Sequence, residues 1–287
     1  MDDSTTRTLA ITGSTGALGA LVVQRLAGSD FRLDVRLLVR DPPRAPDIDV
    51  DVRVCSYDDH QASLEALRGV ETLFMVSGAE APDRRAQHRT FIAAAAEAGV
   101  DHVVYTSFAG ADPEATFTLG RDHADTEAAL RESGMAFTIL RDGFYTDVLP
   151  LFADDSGAIR GPAGRGRVAA VARADVAEVA AAVLRAPQEH VGATYTLTGP
   201  EALSLEEVAE RAGRALGRDL RYVEESVEEA YASRREAYPE AEQYQLDAWV
   251  STYTAIADGS CEQVTDDVRR VSGREPRRLE EALEPTP

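Results

Sequence analysis

A short apolar run, Thr8-Leu9-Ala10-Ile11-Thr12, leads straight into Gly13-Ser14-Thr15-Gly16-Ala17-Leu18-Gly19 and then into an apolar-rich helix from about Ala17 to Ala27. Glycines let a backbone turn tightly and approach phosphates closely, and a helix start offers unpaired amides at the positive end of its dipole. Three glycines alone are weak evidence. Placed after a strand and before a helix, they mark a pyrophosphate site, and a tight turn without a ligand is the bland alternative.

The rest of the first half alternates in the same way. Further strands are expected at Val35–Val39, Val52–Val54, Thr72–Val76, Val103–Thr106 and Ala136–Leu140, with helices around Phe91–Ala96 and Ala124–Glu132. Short apolar runs separated by helices imply a parallel sheet covered on both faces, with right-handed crossovers. The expected fold is therefore α/β: a Rossmann-type doubly wound parallel sheet with a smaller C-terminal α/β subdomain on the substrate side. Residues 1–150 are read as the NAD(P)-binding domain and 151–287 as the subdomain, with sheet and helix elements returning to the first from about 166–200.

Beyond Arg141 the rhythm changes. Gly157–Gly166 reads as a loop, Asp175–Leu184 as a helix and Tyr195–Thr198 as a strand. Ser204-Leu205-Glu206-Glu207 is a capping box, in which the Ser hydroxyl accepts from a helix amide and Glu207 reaches back. The stretch from Glu224 to Pro287, which includes Trp249, shows no regular spacing and is read as part of the subdomain.

The end of the second strand selects the dinucleotide. An Asp or Glu there binds a ribose 2′-hydroxyl, whereas a positive residue accommodates a 2′-phosphate. The sequence is Leu38-Val39-Arg40-Asp41-Pro42, so Arg40, with its planar guanidinium, favours NADP(H). Asp41 leaves NAD(H) as the less favoured cofactor.

Composition narrows the partners. With 30 basic and 50 acidic residues, the net charge of −20 repels phosphate backbones and anionic membranes, so neither nucleic acid nor a membrane is expected as a partner. The acidity serves solubility. Cys55 and Cys261 are too few for a disulfide framework, and no His or Cys spacing suits a metal. Met1–Arg7 lacks the basic-then-apolar order of a signal peptide, and no apolar run reaches the roughly 18 residues of a membrane span. A cytoplasmic protein, monomeric or homodimeric, is expected.

Ile11–Gly19, Val39-Arg40-Asp41-Pro42, Gln87-His88-Arg89, Tyr105-Thr106-Ser107, Leu140–Tyr145, Ala172–Ala177 and Gly273–Arg277 together resemble the NmrA-like branch of the atypical short-chain dehydrogenases. Within it the chain looks most like the bacterial NADPH-dependent quinone oxidoreductases, over nearly its whole length. The resemblance implies phosphate contacts from Gly13, Ser14, Thr15, Gly16, Ala17, Leu18 and Gly19, with Arg40 at the adenosine phosphate. It implies nicotinamide and ribose contacts from Val76, Ser77 and Gly78, bordered by Tyr105 and Ser107. Asp142, Gly143, Phe144 and Tyr145 would close over the nicotinamide and shape the substrate pocket. The quinone reductases carry Asn and Trp where this chain has Asp142 and Phe144.

Most short-chain dehydrogenases use a Tyr with a Lys four positions later as a proton-transfer pair. Here the corresponding stretch is Gly120–Glu127, with His123 and Glu127 four apart on one helix face. Alcohol–ketone interconversion by the usual route is therefore disfavoured. Reduction of a quinone needs chiefly a stacked geometry, with protons from water or a nearby His. His123 and Tyr145 are the candidate acids. His123 is alternatively a structural residue paired with Glu127, and Phe144 and Tyr145 are either an aromatic wall or ordinary packing. Arg84-Arg85 and Arg234-Arg235 are read as solvated charges, and Gln87-His88-Arg89 as packing.

The leading expectation is an NADPH-dependent reductase of quinones or similar flat, electron-poor acceptors. The alternatives are a non-catalytic NADP(H) sensor of the NmrA type and a reductase or epimerase of a specialised metabolite.

Overall fold

The computed structural model describes residues 8–27 and 34–284. Met1–Arg7, where the sequence shows no signal-peptide order, lie outside the described residues.

The chain divides into two compact units. Of the described residues, the first takes 8–27, 34–107, 124–140 and 177–195. Its strands are β1 (Thr8–Thr12), β2 (Asp34–Val39), β3 (Asp51–Val54), β4 (Thr72–Met75) and most of β5 (His102–Phe108) and β6 (Ala136–Asp142). With β9 (Thr194–Leu197) they form a seven-stranded sheet in the order β3-β2-β1-β4-β5-β6-β9. The pairings β3–β2, β2–β1, β1–β4 and β4–β5 are parallel. Such an order, reversing direction beside β1, is the doubly wound pattern expected from the sequence, and it places the ligand-bearing end at the carboxyl ends of the strands.

Helices α1 (Ala17–Ala27), α2 (His60–Leu67), α3 (Arg84–Ala98) and α4 (Thr118–Glu132) alternate with the strands, and α5 (Arg173–Arg185) follows β6. Central strands β4 and β5 are buried at every position, which is why they read as continuous apolar runs rather than alternating ones. The core of this unit gathers Leu38, Leu67, Leu73, Met75, Phe91, Val103, Tyr105 and Leu130, all almost wholly removed from water.

Of the described residues, the second unit takes 108–123, 141–176 and 196–284. Two short ladders organise it: β7 (Ala158–Gly161) parallel to β11 (Arg221–Glu224), and β8 (Arg167–Val168) antiparallel to β10 (Leu203–Ser204). Around them lie α6 (Leu205–Leu216), α7 (Val227–Ala237), α8 (Gln243–Ala257), α9 (Asp267–Ser272) and α10 (Leu279–Leu283). The capping box forms as expected, with Ser204 Oγ accepting from Glu207 N at 3.2 Å and Glu207 Oε2 accepting from Ser204 N at 2.8 Å.

Two stretches are more regular than their sequence implied. The expected loop at Gly157–Gly166 contains β7, a four-residue strand whose partner lies some sixty residues later. The irregular C-terminal stretch holds α7 to α10. In α8 the buried residues Leu246, Ala248, Val250, Ser251, Thr252, Tyr253, Ala255 and Ile256 run round much of the helix, so no single apolar stripe shows in the sequence. Among the described residues no helix is long and apolar enough to cross a membrane.

Candidate dinucleotide and acceptor site

The glycine turn is shaped so that two of its glycines admit no side chain. Gly13 has φ +66°, and a Cβ there would lie 2.8 Å from Val76 Cβ. A Cβ on Gly19 would lie 2.2 Å from Gly13 O, so α1 crosses the turn at backbone contact. Gly16 N donates to Gly13 O at 2.9 Å and closes the turn. The first-turn amides of α1, from Ala17, Leu18 and Gly19, have no intrahelical acceptor.

Ser14 is 1% exposed, and its Oγ has no hydrogen-bond partner within the protein. A buried hydroxyl without a partner costs about 1–3 kcal/mol. Its place in a glycine cradle at a helix start makes a phosphate oxygen the fitting partner. These residues therefore suit a dinucleotide pyrophosphate. Thr15 is exposed beside it.

Arg40 follows β2 directly and is exposed, with no ion pair among the described residues. Its guanidinium is available to an anion. Asp41 is also exposed, where its backbone carbonyl accepts from Arg44 N.

The backbone after β4 is held by a network that the sequence did not disclose. Val76 N donates to Thr12 Oγ1 at 2.9 Å, Thr12 shares a 2.7 Å hydrogen bond with Tyr57 Oη, and Tyr57 donates to Val76 O at 2.6 Å. Ser77 N donates to Thr106 Oγ1, and Gly78 N donates to His88 Nε2, both at 2.9 Å. Because His88 Nε2 accepts, its proton sits on Nδ1, which faces Thr126 Oγ1 at 2.8 Å. Burial, with Arg84 nearby, holds His88 down at about 3, so it stays neutral. His88 thus packs, as expected, but it also positions Gly78. Thr12 could have been singled out as the last residue of β1; Tyr57 carried no sequence signal.

One arginine expectation needs correction on each pair. Arg84 is 2% exposed rather than solvated, and its Nε donates to Gly78 O at 2.9 Å. Arg234 is likewise mostly buried, paired with Glu225, while Arg85 and Arg235 are exposed. Each buried arginine finds partners on backbone or carboxylate that lie apart from it in the chain.

Tyr105 is wholly buried in the core cluster. Ser107 is equally buried and donates to Glu127 Oε1 at 2.6 Å, while Arg131 holds Glu127 Oε2 at 2.9 Å. Glu127, one of the two residues standing in for the Tyr–Lys pair, is thus a buried anchor for the end of β5.

The remaining site residues belong to the second unit. Asp142 is 6% exposed and accepts from Tyr145 Oη at 2.6 Å. Burial pushes the Asp142 carboxyl up to about 7, with the Tyr145 hydrogen bond opposing it. The Tyr145 phenol is pushed well above its usual range by burial and by the neighbouring carboxylate. Phe144 meets Phe108 and Phe117 edge-on, with centroids 5.1 and 5.2 Å away. His123 is buried, its ring 6.2 Å from that of Phe108. Gly143 and Phe144 also line a cavity of about 200 Å³ together with Arg141, Thr198 and Cys261. The second unit therefore brings together Asp142, Gly143, Phe144 and Tyr145, with His123 joined to them through the phenylalanine cluster.

Comparison with known proteins identifies the family and the fold. A model of the NAD(P)H-binding family matches residues 13–187. The chain is 36% identical over 220 residues to quinone oxidoreductase 2 of Escherichia coli strain K12, covering 75% of this chain and 76% of that one. It is 32% identical over 278 residues to an NAD(P)H azoreductase of Xenophilus azovorans, covering 94% and 95% of the two chains. The crystal structure of the Escherichia coli NADPH-dependent quinone oxidoreductase in complex with NADPH superposes with a TM-score of 0.86 at 30% identity, covering 96% of this chain and 98% of that one.

Proposed function

This chain belongs to the NAD(P)H-binding family, and from that premise we propose that it is an NADPH-dependent oxidoreductase reducing a quinone or a similar flat, electron-poor acceptor. The glycine turn carries the reading: a cradle closed to side chains, with the buried Ser14 hydroxyl lacking a protein partner.

The backbone of Gly13–Gly19 and the Ser14 hydroxyl hold the pyrophosphate, and Arg40 meets the 2′-phosphate. Val76, Ser77 and Gly78, fixed by Thr12, Tyr57, Thr106 and His88, border the nicotinamide ribose. When bound, the dinucleotide supplies the hydride. Phe144 offers an aromatic edge to a flat acceptor, and Tyr145 and His123 are the proton-bearing groups of the second unit. A conjugated acceptor is supported by relatives that are a quinone oxidoreductase and an azoreductase. The free thiols Cys55 and Cys261 suit a reducing, cytoplasmic setting.

The test is NADPH consumption by the purified chain, with and without simple benzoquinones and naphthoquinones, and with NADH as a control. Acceptor-dependent oxidation that weakens in Arg40→Ala is the expected result. Tight dinucleotide binding without acceptor-dependent turnover would overturn the reductase reading.

A further inference from the structure

The second unit holds a larger cavity, of about 590 Å³, for which the proposed reaction has no use. None of its lining residues is among those assigned above to the dinucleotide or the acceptor. Its walls come from the turn at Leu151–Asp154, from β7, and from α7 and α8.

The floor is built rigidly. Tyr253 lies flat against β7 because Gly161 has no side chain; a Cβ there would fall 2.3 Å from Tyr253 Cδ1. The Arg234 guanidinium sits 5.1 Å from the Tyr253 ring centroid, and Arg234 also pairs with Glu225 and donates to Arg160 O. Across the cavity Tyr238 and Trp249 meet edge-on at 5.2 Å, and Phe152 tilts toward Tyr253 at 6.2 Å.

Two properties of this lining select a ligand. Its charges are internally matched, Arg234 by Glu225 and Arg160 by Asp154, so no net charge is left to hold an ion. Its mouth is apolar and wet: Leu151, Phe152 and Tyr238 are 66%, 37% and 58% exposed. The Trp249 indole N–H and the Tyr238 hydroxyl make no hydrogen bond among the described residues, leaving polar tips beside aromatic faces. A volume of this size lies within the range of small-molecule sites, roughly 300–1,000 Å³.

We infer that this cavity is a second ligand site, taking a neutral, flat aromatic molecule of about two fused rings that bears a hydroxyl or carbonyl. The ring slots against the aromatic walls, and its oxygen meets the indole N–H or the tyrosine hydroxyl. The site works independently of the reductase reading, because binding requires neither dinucleotide nor turnover.

Trp249 is the sole tryptophan of the chain, so its emission reports this cavity directly. The experiment titrates 1-naphthol into the purified chain, followed by calorimetry and by tryptophan emission. Ala237→Phe obstructs the mouth and Tyr238→Ser removes a rim ring, both at exposed positions that leave the fold intact. The expected result is one saturable site whose affinity falls at least tenfold in Ala237→Phe, is weakened in Tyr238→Ser, and is unchanged by saturating NADPH. Absence of saturable binding, displacement by NADPH, or indifference to both variants would overturn the inference. So would a dimer that Tyr238→Ser dissociates, since the mouth would then be a contact between copies. Quinone-dependent NADPH oxidation, measured separately, stands or falls without reference to these outcomes.

Discussion

Tyr145 Oη donates a hydrogen bond to Asp142 Oδ2 at 2.6 Å, inside a pocket that leaves the carboxyl 6% exposed. Above the phenol ring sits Arg173, 5.9 Å from its centroid and itself tied to Asp147. The carboxyl is buried too deeply for its ionised form to be comfortable, so it titrates near 7.

That position has a definite pH signature. A carboxyl whose folded pKa is raised contributes stability that is complete below its unfolded value and is lost as pH rises through its folded value. Stability attributable to Asp142 should therefore fall between about pH 4 and the value near 7. Asp142→Asn removes this dependence and gains on the order of 2–4 kcal/mol over the wild type above neutrality, with little difference in acid. Urea unfolding of both proteins at pH 5 and pH 8 checks this. An unchanged difference at the two pH values would contradict it.

His88 behaves in the opposite sense. Its folded pKa is depressed to about 3, so its contribution is complete above the unfolded value near 6.5 and declines as pH falls toward 3. Replacing it by Leu leaves Gly78 N–H and the Thr126 hydroxyl without this partner in the interior, a cost of about 2–4 kcal/mol. Dinucleotide affinity should fall with it, because Gly78 loses its anchor. His88→Gln, which can still accept at Gly78, should recover part of the affinity. Denaturant unfolding together with NADPH titration separates the two effects.

Gly19→Ala is a steric test of the cradle. The new Cβ would come to 2.2 Å from Gly13 O, a backbone atom that moves only if the turn itself moves. About 1–3 kcal/mol of stability should be lost. NADPH binding should weaken more than tenfold, read by quenching or calorimetry. Gly16→Ala, where the nearest atom is 3.3 Å away, should be milder.

Arg40→Asp should invert the cofactor preference. Removing the guanidinium takes away the charge-assisted contact proposed for the 2′-phosphate, and the new carboxylate would repel that phosphate while accepting from a 2′-hydroxyl. The ratio of NADPH to NADH affinity should drop by two orders of magnitude or about that. Equal loss for both cofactors would show that Arg40 acts on something common to them.

Much of the first unit was legible because its signals are local. A buried parallel strand is a short apolar run, and the glycine turn names its own place between strand and helix, so the positions of the Gly13–Gly19 turn and of Arg40 after β2 could be read from spacing alone. The second unit was less legible. Strand β7 is four residues long and needs β11 to exist, and α8 is buried on too many sides to show a stripe.

Within the site, the sequence by itself determined where the glycine turn falls between strand and helix and which charge stands at the end of β2, since both depend on neighbours in the chain. Only the tertiary structure decided that Tyr105 is core, that Ser107 leans on a buried Glu127, that His88 and Tyr57 hold the backbone after β4, and that the Tyr145 hydroxyl donates its hydrogen bond to Asp142. Each of those roles rests on a hydrogen bond or a burial set by folding. Residue type names what a side chain can donate or accept, and its surroundings determine which partner it meets and whether water competes.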